Sequence, residues 1–89
     1  MIKKKVEIKN KLGLHARAAV KFVNLANRFS SSIKIVKDSN EVDGKSVLGI
    51  LTLAAVQGSE IQIKVSGKDE EMAFQALNDL VDDKFHEKE

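Results

Sequence analysis

The 89-residue chain contains no cysteine, which excludes a disulfide framework and any thiolate metal site and points to a reducing, cytoplasmic setting. Tryptophan and tyrosine are absent as well. Two of the phenylalanines, Phe22 and Phe29, fall on a helical core stripe, so the chain lacks a platform for stacking nucleic-acid bases. No apolar run is long enough to cross a bilayer. The basic start, Met1-Ile2-Lys3-Lys4-Lys5, is not followed by the apolar stretch and cleavage site of a secretory signal. Charge of one sign is also missing: the formal net charge is +2, which argues against a dedicated nucleic-acid binder. No glycine-rich nucleotide loop occurs. The two histidines, His15 and His86, lie far apart with no metal-ligand spacing around them, so neither metal nor cofactor is expected.

What is present suits one compact α+β domain spanning residues 1–89. Ile2, Lys4, Val6 and Ile8 alternate with Lys3, Lys5, Glu7 and Lys9, giving a strand with one charged face. After the break at Asn10-Lys11-Leu12-Gly13, the spacing predicts a helix over residues 16–29 that buries Ala19, Phe22, Val23, Ala26 and Phe29. Ile33 and Ile35 mark a second strand, and a turn at Asp38-Ser39-Asn40 returns the chain through Val42. Ser46 is an N-cap candidate for a short helix from Val47 to Ala55. Glu60 to Ser66 is the clearest strand. Gly67-Lys68-Asp69 opens a last helix whose inward stripe is Ala73, Ala76, Leu77, Leu80 and Val81. The charged tail from Asp82 is expected to fray. The order β-α-β-β-α-β-α places helices on one face of an antiparallel sheet and leaves the lysine-rich face wet.

Gly13-Leu14-His15-Ala16-Arg17-Ala18-Ala19 carries the chemistry. A histidine where a loop becomes a helix can serve as a phosphate nucleophile, because free backbone N–H groups and the positive dipole end receive the transferred oxygens. Arg17 adds a fork of N–H donors. The plain alternatives are a helix-terminal histidine without chemistry, a solvated arginine and, at Ser46, a cap alone. Ser46 is also a candidate for regulatory phosphorylation, since a hydroxyl at a helix start can accept and hold added charge. Val20 falls off the core stripe, and with Val47, Leu48 and Leu51 it would make a small apolar docking patch beside His15 and Ala16. Arg17, Lys21 and Lys45 would rim it for partners carrying acidic residues.

These residues carry a resemblance. The His15 stretch, Gly44-Lys45-Ser46-Val47-Leu48-Gly49-Ile50-Leu51 and the element order together resemble the histidine-containing phosphocarrier protein (HPr) family of the phosphoenolpyruvate-dependent phosphotransferase system. The resemblance implies an open-faced β-sandwich: a four-stranded antiparallel sheet, order 1-4-2-3, covered by three helices. It also implies a phosphoryl relay rather than a stand-alone enzyme. Enzyme I would phosphorylate Nδ1 of His15, Arg17 would steady the phosphate, and an enzyme IIA domain would take it onward. Ser46 matches the position modified by an HPr serine kinase in some bacteria, which offers the alternative of a regulatory binding module. Ala18 stands where many sugar-branch members have proline and resembles the nitrogen-related branch. A monomer without nucleic-acid or membrane partners is expected.

Overall fold

The computed structural model describes residues 1–87. Four strands, β1 (Ile2–Glu7), β2 (Ser32–Lys37), β3 (Asn40–Asp43) and β4 (Glu60–Ser66), form one antiparallel sheet in the order β1-β4-β2-β3. Three α-helices lie among them: α1 (Ala16–Ala26), α2 (Val47–Thr52) and α3 (Glu70–Asp82). A single 3-10 turn, Lys84–His86, follows. The expected order and sheet topology are both present.

Alternation along the strands decides which face is covered. Ile33 and Ile35 of β2 pair with Val65 and Ile63 of β4, and Ile61 pairs with Val6 of β1. All five β2 and β4 residues are buried beneath the helices, where Phe22, Ala26, Ile50, Ala73 and Leu77 meet them in one core. On the opposite face Lys3, Lys64, Lys34 and Asp43 stand in one cross-strand row. Like charges placed opposite one another repel. The Lys64 ammonium is drawn instead to Glu41 Oε1 at 2.6 Å.

The inward parity of β1 includes a lysine, which a strand packed on one side should not tolerate. Lys4 solves this at the sheet edge: its ammonium sits 5.5 Å from the centroid of the Phe74 ring on α3. The stem covers apolar surface while the charge meets the ring face and water. The β2–β3 hairpin closes through Asp38 and Ser39, both with positive φ, the pattern of a two-residue primed turn.

Two helices are shorter than periodicity suggests. α1 stops at Ala26, because Arg28 and Phe29 N–H groups bond to Leu25 and Ala26 carbonyls in tighter turns. Phe29 still packs against the core, and its carbonyl accepts from Lys45 Nζ at 2.7 Å. α2 stops at Thr52 and passes into Leu53 and Ala54, the latter with φ of 49°.

The tail departs most from expectation. Instead of fraying at Asp82, α3 runs into the 3-10 turn, which buries Phe85 completely. An apolar side chain of that size outweighs the charged residues flanking it.

Candidate functional site

His15 is the N-cap residue of α1, with extended backbone (φ −76°, ψ 177°) and no side-chain capping bond. Its carbonyl accepts the first helical bond, from Ala19 N–H at 2.9 Å. The ring is therefore not spent on the helix end, and the first-turn amides keep their capacity to meet an anion.

Two neighbouring loops hold His15 in place. Leu14 is buried and its N–H bonds to the Ala55 carbonyl at 2.8 Å, tying the β1–α1 loop to the segment after α2. Gly13 makes this approach feasible: its φ is +67°, and a Cβ there would stand 2.4 Å from the Ala55 oxygen. Beneath the loop lies Asn10, fully buried, whose Nδ2 donates to the Gly13 carbonyl at 2.7 Å and to Glu87 Oε1 at 3.1 Å.

The second oxygen of Glu87 contacts His15 Nε2. Among the described residues Nδ1 has no hydrogen-bond partner. The two side chains are 25% and 9% exposed, so water reaches the histidine far more readily than the carboxylate. Burial pushes the Glu87 carboxyl up. Hydrogen bonds from His15 and Asn10, with the charges of His15 and Lys21, outweigh it and hold the carboxyl below its ordinary value.

Arg17 is exposed on the first turn of α1 and, among the described residues, has no ion-pair partner. The other two basic residues expected at the rim are engaged by backbone carbonyls. Lys21 Nζ donates to Phe85 at 2.5 Å and Lys45 Nζ to Phe29. Ala16 is exposed beside the ring. Val20 on α1 and Leu48 on α2 are 43% and 74% exposed, on helices that pack together, whereas Val47 and Leu51 are half-buried. Leu12 and Val56, each 66% exposed, widen the apolar surface around the His15 loop.

Ser46 caps α2 as its position suggests: the hydroxyl accepts the Gly49 N–H at 3.0 Å. His86 contacts Asp83 through Nδ1. Among the described residues no cluster of three metal-ligating side chains occurs.

Sequence reasoning missed Asn10 and Glu87. Asn10 had been visible only as part of a chain break. Glu87 lies 72 residues from His15 and belongs to no motif.

Among the described residues, then, the start of α1 brings together a histidine with one ring nitrogen lacking a hydrogen-bond partner and an exposed arginine with no ion-pair partner. The family described as "PTS HPr component phosphorylation site" matches residues 2–83. Phosphocarrier protein HPr of Neisseria meningitidis serogroup A is 45% identical over 89 residues, covering 100% of both chains. A crystal structure of HPr from Thermoanaerobacter tengcongensis superposes with a TM-score of 0.96 at 46% identity, again covering 100% of each chain. A crystal structure of an HPr dimer from that organism gives a TM-score of 0.79 at 47% identity, covering 98% of this chain and 100% of that one. The chain belongs to the HPr family of phosphocarrier proteins.

Proposed function

We propose that this chain is a relay component which takes a phosphoryl group from phospho-enzyme I onto Nδ1 of His15 and yields it to an enzyme IIA domain. The observation that carries the reading is the asymmetry of the His15 ring, with Nε2 engaged and Nδ1 without a hydrogen-bond partner among the described residues. A phosphoryl group on Nδ1 would meet the first-turn amides of α1 and the Arg17 guanidinium. The exposed apolar side chains of Val20 and Leu48 give its partners a surface to grip without permanent association. No helix among the described residues is long and apolar enough to span a membrane.

Incubation with phosphoenolpyruvate and enzyme I should yield an acid-labile, base-stable phosphoprotein. Undiminished labelling of His15→Ala would overturn the assignment. Arg17→Ala should be labelled more slowly.

A second reading, control through Ser46, is favoured by its half-exposed hydroxyl two residues before the exposed Leu48. Added phosphate there would place negative charge beside the docking surface. Whether the carrier serves a sugar or a nitrogen-related branch would follow from which enzyme IIA accepts its phosphoryl group.

A further inference from the structure

The tail that delivers Glu87 is held in an unfavourable shape. Lys84, Phe85 and His86 have φ of 57°, 56° and 60°, three successive non-glycine residues in the left-handed region. Such residues are uncommon singly, and a run of them persists only where surrounding contacts impose it. Here three contacts do so. Phe85 fills the core, Lys21 Nζ grips the Phe85 carbonyl, and buried Asn10 donates to Glu87 Oε1. Together they bring one carboxylate oxygen to His15 Nε2.

We propose that Glu87 is a positioning residue for phosphoryl transfer, holding the proton of His15 on Nε2 so that Nδ1 keeps its lone pair. This rests on the phosphocarrier reading above. An ionised carboxylate can only accept, so the hydrogen in the Glu87 contact belongs to the ring. The Asn10 Nδ2 bond to the other oxygen fixes the carboxylate itself. The titratable groups that face it are His15, at the N-cap of α1, and Lys21 within that helix.

The chemistry explains why that proton matters. As the Nδ1 lone pair bonds to phosphorus, the bond between phosphorus and the donor atom breaks and its electron pair returns to the donor. Nε2 keeps its proton, so the phosphorylated ring is cationic, and the Glu87 charge lies beside it. On delivery, the P–Nδ1 electron pair returns to the ring and neutral imidazole departs. Without the Nε2 proton the leaving group would be an imidazolate, which is far poorer. Glu87 thus favours loading through its charge, and by keeping the proton on Nε2 it leaves neutral imidazole as the leaving group on unloading.

The full-length variants Glu87→Gln and Glu87→Ala test this. Nitrogen-15 NMR of the neutral ring should show Nε2–H in the wild type and in Glu87→Gln, whose amide oxygen still accepts. Glu87→Ala should show an added Nδ1–H fraction. Transfer from phospho-enzyme I should slow by roughly tenfold in both variants, through kcat with KM unchanged, because the charge-assisted bond is lost in both. A wild-type transfer rate in Glu87→Ala, or an unchanged ring tautomer, overturns the proposal. If wild-type protein takes no phosphoryl group from enzyme I, the carrier reading fails instead, and the ring NMR still decides whether Glu87 sets the tautomer.

Discussion

Asp69, at the start of α3, receives the Ser31 N–H on Oδ1 at 3.0 Å while its other oxygen receives the Ser30 N–H at 2.9 Å. The Ser31 hydroxyl donates to the same carboxylate. One side chain therefore joins the last helix to the turn that leads from α1 into β2. The Ser31 hydroxyl and the Ser30 N–H, aided by the Ser31 N–H and opposed by burial, hold the Asp69 carboxyl below its ordinary value.

The sign of the pH dependence follows. A carboxyl whose folded-state pKa is depressed binds its proton more readily in the unfolded chain. Its stabilising effect is complete above the unfolded value and is lost as pH falls through the folded one. Asp69→Ala should be less stable than the wild type at neutral pH, and the difference should shrink below about pH 4. Urea titrations of both proteins at neutral and acid pH provide the check. A gap that stays constant with pH would show that the contact acts through packing alone.

Ser46 combines two roles that substitution can separate. Ser46→Ala removes the acceptor for Gly49 N–H and should cost about 1 kcal/mol, lowering the melting temperature by roughly 5 °C. Affinity for enzyme I should change little. Ser46→Asp retains a capping oxygen, so its stability should stay close to that of the wild type while affinity falls through added charge. Calorimetry and a binding titration on the two variants distinguish the effects. Equal affinity for all three proteins would leave Ser46 as a cap only.

Gly13 sets the position of the nucleophile. Alanine there would need a left-handed φ and would drive its Cβ against the Ala55 oxygen and, at 2.9 Å, Val56 Cα. Either the β1–α1 loop or the segment after α2 must move. Gly13→Ala should lose about 2 kcal/mol or more of stability. Because His15 lies two residues on, phosphorylation by enzyme I should fall further than the same loss of stability elsewhere would cause. Comparison with Ala73→Gly, a substitution in α3 away from the site, isolates the positional effect.

How far the sequence was legible depended on whether a contact leaves a period or a motif. β4 was plain because Ile61, Ile63 and Val65 alternate without interruption, and all three are buried. The ends of α1 and α2 were less so. Neither helix stops at a glycine, and each ends in tight backbone turns, from Arg28 and Phe29 to the Leu25 and Ala26 carbonyls and from Leu53 and Ala54 to those of Ile50 and Leu51, which leave no motif in the sequence. Lys4 read correctly as an inward-parity residue, but its accommodation needed Phe74, 70 positions away on another element. His15, Arg17 and Ser46 stood out because helix starts have a recognisable chemistry. Glu87 did not, since one glutamate in a run of charged residues carries no positional signal.

Phe85 is the residue on which that tail depends. It is the apolar residue among Asp82, Asp83, Lys84, His86 and Glu87, and it is fully buried. Phe85→Ala removes the burial that sustains three left-handed residues, and its cost, about 3 kcal/mol, exceeds what the Lys21 and Asn10 hydrogen bonds can offset. The tail should therefore detach. Amide exchange over residues 83–87 should rise to the rate of an unstructured peptide while β2 and β4 stay protected. The His15 ring should lose its Nε2 contact in the same variant, giving the tautomer mixture expected of Glu87→Ala. Retained protection at residues 83–87 would mean that the polar contacts suffice to hold the tail without its anchor.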